Sequence, residues 1–214
     1  AYYTPFISNK KLGSRERHDV MPEHNEGMHV IPQILTNRVD DFLEIEKQLY
    51  DYGYREVNLN LGCPSGTVTA KGRGAGFLAY PEELGQFLDE IYSKTNMKIS
   101  IKTRIGISSE EEWPNLLSIF NRFPVERLII HPRLLKDFYK GYPHMDAYQY
   151  AKNHSLSPIC YNGDIHSVDK WRKIEGELGM QTKEIMLGRG LLMNPVLAEE
   201  IRSDFNIDKD KKDQ

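Results

Sequence analysis

The stretch EVNLNLGCPSGTVTAKGRGAGFL, Glu56 to Leu78, decides how this chain is read. Its opening, EVNLNLGC, is a short apolar run of the kind that forms a buried strand. Behind Cys63 come Gly66, Gly72, Gly74 and Gly76. Glycine tolerates positive φ and lets backbones approach closely, which suits a loop wrapped near a ligand. A thiol carried from a strand end into such a loop is a candidate active-site group.

Six further runs of the same kind lie on either side: YYTPFIS (2 to 8), HVIPQIL (29 to 35), KISIKTRIG (98 to 106), RLIIHPR (127 to 133), PICYNGD (158 to 164) and EIMLGRG (184 to 190). Helical patterns fill the intervals at 37–52, 81–93, 109–122, 146–154, 167–178 and 195–205, the first with Val39, Phe42, Leu43 and Leu49 on one side and Gly53 as a stop. Repeated βα units imply a parallel sheet covered by helices, either open and flavodoxin-like or closed as a (β/α)8 barrel. Gln33, Asn60, Cys63, Lys102, Arg104, His131, Asn162, Asp164 and Arg189 all fall at or just after the C-terminal ends of different strands. A barrel gathers such residues around one mouth, whereas an open sheet spreads them along an edge, so the expectation is an α/β TIM-type barrel. Seven strands leave it one short, and nothing precedes YYTPFIS, so the missing strand is expected to be the first.

The 214 residues suffice for one sizeable core, and 39% hydrophobic with 28% charged residues is ordinary for a globular domain. No apolar run approaches the roughly 20 residues of a membrane span, and AYYTPFIS has no signal-peptide pattern, so a cytoplasmic protein without a membrane partner is expected. Cys63 and Cys160 have neither a CxxC partner nor a histidine at zinc spacing, which argues against a disulfide framework or a metal centre. A net charge of -3 speaks against wholesale polyanion binding, though it permits a local basic groove. Residues 9–28 are charged and aperiodic and read as a surface loop, whose Lys10, Lys11, Arg15 and Arg17 are available to an acidic ligand. Residues 1–205 then make the barrel unit, and 206–214 read as a disordered tail.

Cys160, inside PICY, reads as a packing residue, whereas Cys63 sits among glycine, proline and serine. A free thiol has a pKa of about 8.5 and is protonated at neutral pH, the form a general acid needs. Near the C-terminus, Asn162–Gly163–Asp164 and Gly188–Arg189 each put glycine between a strand and a helix, an arrangement that binds phosphate as well as turning the chain. Lys102 and Arg104 alternate with apolar residues and must meet a carboxylate or an anionic ligand.

With these residues in view, the chain resembles the tRNA-dihydrouridine synthase family over Val30 to about Ile201. VNLNLGCPSGTVTAKGRGAGFL carries the resemblance, and IKTRIG, IIHPR, YNGDI and MLGRGLLMNP follow in the family's order. The resemblance implies an FMN barrel, recharged by NADPH, in which hydride passes to C6 of a tRNA uracil while a cysteine protonates C5. It makes Cys63 the acid and Asn60 a contact to the base, and leaves Arg104 a candidate for cofactor or substrate; Lys71 and Arg73, basic residues of the glycine loop, are expected to hold the backbone of the extruded substrate nucleotide. It assigns Gln33 and Lys102 to the isoalloxazine, and His131, Asn162, Gly163, Asp164, Gly188 and Arg189 to the phosphate end of FMN. The family opens with a strand bearing an Ala-Pro-Met-like segment and closes with a tRNA-gripping helical domain. Neither is expected here. Two other readings compete: an FMN-dependent dihydroorotate or dihydropyrimidine dehydrogenase, and a non-catalytic RNA-binding barrel remnant.

Overall fold

The computed structural model of the chain describes residues 1–179 and 184–212, with side chains through residue 204. The elements run β1 (Tyr2–Ile7), α1 (Ser14–Val20), β2 (Val30–Ile34), α2 (Val39–Asp51), β3 (Glu56–Leu61), α3 (Gly66–Thr69), α4 (Pro81–Lys94), β4 (Lys98–Thr103), α5 (Trp113–Phe120), β5 (Leu128–Ile130), α6 (Met145–His154), β6 (Ile159–Asn162), α7 (Val168–Leu178), β7 (Ile185–Met186), α8 (Arg189–Met193) and α9 (Leu197–Lys212). Two compact units make up the chain, residues 1–159 and 160–214. In the first, β1 to β5 pair in chain order and every pairing is parallel. In the second, β6 pairs parallel with β7, Tyr161 opposite Ile185. Seven parallel strands alternating with helices are the βα repeats of a partial (β/α)8 barrel, as the sequence leads one to expect.

Two kinds of face explain the first unit. Val57, Leu59 and Leu61 of β3 are fully buried, and so are Phe42, Ile45 and Leu49 of α2 and Leu84, Leu88 and Ile91 of α4. Each such side chain stabilises by about 1.5–3 kcal/mol on burial. Phe87 joins α4 to its surroundings through edge-on contacts with Phe42 (6.2 Å) and Phe77 (5.5 Å). The alternate residues of β3, Asn58 and Asn60, are buried too but polar, so this strand carries an apolar face and an amide face.

The structure differs from the sequence reading at three places. Residues 14–20 are helical, where charge and aperiodicity predict a loop. Leu12 and Val20 are the buried apolar residues in and beside this segment, and two are too few to give a period. Residues 109–122 divide into a 3-10 turn, Glu110–Glu112, and α5, because the Glu112 carboxylate turns back onto the backbone N–H groups of Ile107, Ser108 and Ser109. At the C-terminus, the backbone of α9 is helical through residue 212, across most of the stretch read as a disordered tail; residues 213 and 214 lie outside the described residues. A charged composition does not by itself argue against helix formation.

Candidate functional site

The amide face of β3 continues across its neighbours because parallel pairing aligns like-facing residues. Gln33 stands opposite Asn58, Ser100 opposite Asn58, and Lys102 opposite Asn60. The amides are chained. Asn60 Oδ1 accepts the backbone N–H groups of Gly62 and Cys63, both at 3.0 Å. Asn60 Nδ2 donates to Gln33 Oε1 (2.7 Å), Gln33 Nε2 to Asn58 Oδ1 (2.8 Å), and Asn58 Nδ2 to Ser100 Oγ (3.0 Å). Ser100 Oγ donates in turn to the Val57 carbonyl at 3.3 Å. Gln33, Asn58, Asn60 and Ser100 are all buried, so each bond replaces one that water would otherwise make.

Cys63 is a free, half-buried thiol two residues beyond β3. Its loop folds back on itself: the Ala75 N–H donates to the Cys63 carbonyl at 3.0 Å. Gly74 makes this possible with φ of +57°; a Cβ there would lie 2.8 Å from the Cys63 carbonyl oxygen and 3.0 Å from Cys63 Cβ.

Arg104, buried just past β4, clamps the neighbouring loops. Its Nε donates to the Gly62 carbonyl (3.1 Å), Nη1 to Leu134 (2.7 Å) and Nη2 to Phe138 (2.6 Å). Burial holds its pKa below the ordinary guanidinium value; the neighbouring Arg133 pushes the same way, while Tyr139 and Asp137 oppose. Arg133 is equally buried and donates to the carbonyls of Lys140 and Gly141. The loop after β5 is tied down further by His144, whose ring nitrogens meet Glu110 at 2.7 Å and Asp137 at 2.9 Å. Burial alone would raise the Asp137 carboxyl, but the hydrogen bonds from His144 and the Leu134 N–H, with the charges of His144 and Arg133, hold it below its usual value.

Asp41, in the first turn of α2 and 5% exposed, makes a second anchor. Lys10 (3.3 Å), Arg38 (3.7 Å) and Arg73 (3.5 Å) converge on it. The Asn37 amide donates to the Lys71 carbonyl at 3.0 Å, which fixes the same part of the glycine loop.

In the second unit, Asn162 Nδ2 donates to the Met186 carbonyl at 2.8 Å, and Arg189 meets Asp164 at 3.2 Å. Gly163 has φ of +147° and Asp164 of +53°, a tight turn directly after β6.

A family model described as "Dihydrouridine synthase (Dus)" matches residues 1–214. The chain belongs to the dihydrouridine synthase family. Among its relatives, a probable tRNA-dihydrouridine synthase of Staphylococcus epidermidis is 27% identical over 196 residues, 83% of this chain and 59% of the relative. The homologue from Staphylococcus aureus is 26% identical over the same span and shares. The tRNA-dihydrouridine synthase B of Pasteurella multocida is 26% identical over 199 residues, 92% of this chain and 59% of that protein. The chain thus spans 59% of the length of the curated relatives it matches.

Against this family background, the residues marked out in the sequence divide clearly. Gln33, Asn60, Cys63 and Lys102 belong to one polar face and the loop rising from it. Buried His131 follows directly on β5. Arg104 has its guanidinium on three carbonyls, and Arg73 has its own on Asp41 and the Ser8 carbonyl, so both brace loops. Lys71 is exposed. Cys160 is buried, as its apolar surroundings predict. The sequence reading passed over Asn58, Ser100 and Asp41, although Asn58 and Ser100 each lie two residues before a residue it did mark out, and period 2 puts them on the same face. Among the described residues, no helix is long and apolar enough to cross a membrane, and no cluster of three His, Cys, Asp or Glu side chains could hold a metal ion.

Proposed function

We propose that the protein is a flavin-dependent oxidoreductase of the cytoplasm that reduces the C5=C6 bond of uridine in tRNA, with FMN as cofactor and NADPH as its reductant. The observation that carries this reading is the half-exposed Cys63 thiol, held by its own backbone N–H to the buried amide face that bears Gln33, Asn60 and Lys102.

That face suits an isoalloxazine. Gln33 and Asn60 each keep one amide N–H beyond those committed to the chain, and such donors, with the Lys102 ammonium, match the carbonyl and nitrogen acceptors of the ring. His131 is assigned to the cofactor as well. In the second unit we assign Asn162, Gly163, Asp164, Gly188 and Arg189, judged by themselves, to phosphate. Arg189 is ion-paired with Asp164, and a guanidinium is the side chain best matched to a phosphate.

Uracil C6 is electrophilic through conjugation with the C4 carbonyl, and FMN held here in its reduced form would supply the hydride it takes. The chain's own part is the proton. The Cys63 thiol gives its proton to C5, so hydride and proton together saturate the bond and the sulfur is left as a thiolate for solvent to reprotonate. Asn60 holds both the loop and the base, and Arg104 keeps the Gly62 carbonyl, one residue before the thiol, fixed. Lys71 contacts the backbone of the extruded nucleotide.

The test separates the half-reactions. Cys63→Ala leaves reduction of bound flavin by NADPH intact and abolishes fast reduction of tRNA uridine; equal loss in both would make the thiol structural.

A further inference from the structure

The hydrogen-bond chain beneath the site has a direction, and both of its ends are fixed by backbone. At the top, Asn60 Oδ1 faces two main-chain N–H groups, which only donate. Its amide nitrogen therefore faces Gln33, whose oxygen must accept and whose nitrogen must look down at Asn58. Asn58 is then obliged to present its oxygen upward and its nitrogen to Ser100. At the bottom, the Ser100 hydroxyl ends on the Val57 carbonyl, which only accepts. Reversing any one amide sets N–H against N–H or oxygen against oxygen inside a buried face, so no member turns alone.

This polarity limits what the upper pair can offer a ligand. Both lone pairs of Asn60 Oδ1 are taken and one of its N–H bonds goes to Gln33, so it has a single donor left. Whatever lies against Asn60 must present an acceptor, such as a uracil carbonyl. An amino group in its place would meet N–H with N–H.

We propose that Asn58 and Ser100 are positioning residues that lock Gln33 and Asn60 in this donor-facing state and, through Asn60, hold the Cys63 backbone. The proposal rests on the functional reading given above. It assigns roles to two side chains given no contact to base or cofactor: Asn58 stands opposite Gln33, and Ser100 opposite Asn58.

Ser100→Thr and Ser100→Val isolate the hydroxyl, since the two variants have the same shape and differ only in that group. In the full-length protein, the threonine variant should retain the kcat for tRNA uridine reduction and the FMN affinity that its added methyl permits. The valine variant should fall below it by about threefold to tenfold in each, the worth of one hydrogen bond. The KM for tRNA should agree between the two, because the phosphate contacts that dominate RNA affinity lie elsewhere. Ser100→Ala adds no volume and carries the same test if the larger residues prevent folding: it should lose kcat without raising KM. Equal kcat in the threonine and valine variants, or wild-type kcat in the alanine variant, overturns the relay. Wild-type protein that binds no FMN and leaves tRNA uridine unreduced overturns the functional reading instead.

Discussion

Gly74→Ala is the substitution that most directly asks whether the loop around Cys63 is built or merely tolerated. The new Cβ would sit 2.8 Å from the Cys63 carbonyl oxygen, 3.0 Å from Cys63 Cβ and 3.0 Å from Val68 Cγ1, at a residue whose φ is +57°. The carbonyl cannot withdraw freely, because it accepts the Ala75 N–H at 3.0 Å. A left-handed conformation costs an L-residue about 1–2 kcal/mol, and overpacking of this kind adds about 1–3 kcal/mol. The stiffer unfolded chain returns about 0.4–1 kcal/mol, so the net loss should be about 1–5 kcal/mol. Gly66→Ala is the control, since a Cβ there meets nothing within 4 Å. Urea unfolding of both variants gives the difference directly, read as a shift in midpoint at constant slope. Alkylation of Cys63 by iodoacetamide reports on the thiol itself and should change rate only in the Gly74 variant. If the two alanine variants are equally stable and equally reactive, the loop is not the close-packed object described here.

Three further outcomes follow from other contacts. Arg104→Met, which takes the guanidinium donors away from the carbonyls of Gly62, Leu134 and Phe138, should cost about 2–4 kcal/mol in urea unfolding and change the alkylation rate of Cys63; a loss below about 0.5 kcal/mol would show that the clamp is idle. Burial works to raise the Glu112 carboxyl, but its bonds from the Ile107, Ser108 and Ser109 N–H groups and the Ser108 hydroxyl hold it below the usual value. Its stabilising contribution is therefore complete above the unfolded pKa of about 4.3 and disappears as pH falls through the lower folded value. The stability difference between wild type and Glu112→Gln should shrink in that window, and a difference that stays constant as the pH is lowered would refute it. Lys71→Ala should weaken tRNA binding and lower its salt slope by about one, whereas Arg73→Ala should mainly destabilise the protein by stripping a cation from Asp41. Unchanged affinity and salt slope in both variants would remove this loop from the RNA interface.

How much of this was legible in the sequence depends on whether a residue's role is written in its neighbours along the chain or across strands. The strands were legible because each is a short apolar run, and the polar residues at their ends because a change of character marks where each run stops. The roles of Arg73 and Arg104 were not. A lone basic residue after a strand looks the same whether it awaits a phosphate or is spent on carbonyls, and only the fold brings Asp41 to one and Leu134 to the other. Asn58 and Ser100 fell between the two cases. Their alternation with Asn60 and Lys102 placed them on the interior face, but the direction of their hydrogen bonds depends on two backbone N–H groups that no sequence pattern displays.

The composition of the Cys63 loop invites the view that it moves, and its packing argues the reverse. Glycine raises backbone freedom only where nothing surrounds it. At Gly76 a Cβ would lie 2.7 Å from the Thr69 carbonyl oxygen, and at Gly74 it would strike Cys63, so these glycines are present to let backbone meet backbone. Four separate elements then pin the same short segment: Asn60 from β3, Arg104 from the end of β4, Asp41 in α2 through Arg73, and Asn37 through the Lys71 carbonyl. A general acid gains from this, because proton transfer needs the donor within hydrogen-bond reach of one carbon, and a roaming thiol would spend most of its time elsewhere. Amide hydrogen exchange distinguishes the two views. The N–H groups of Gly62, Cys63 and Ala75 should exchange as slowly as those of the buried strands, and fast exchange at all three would return the loop to the mobile class.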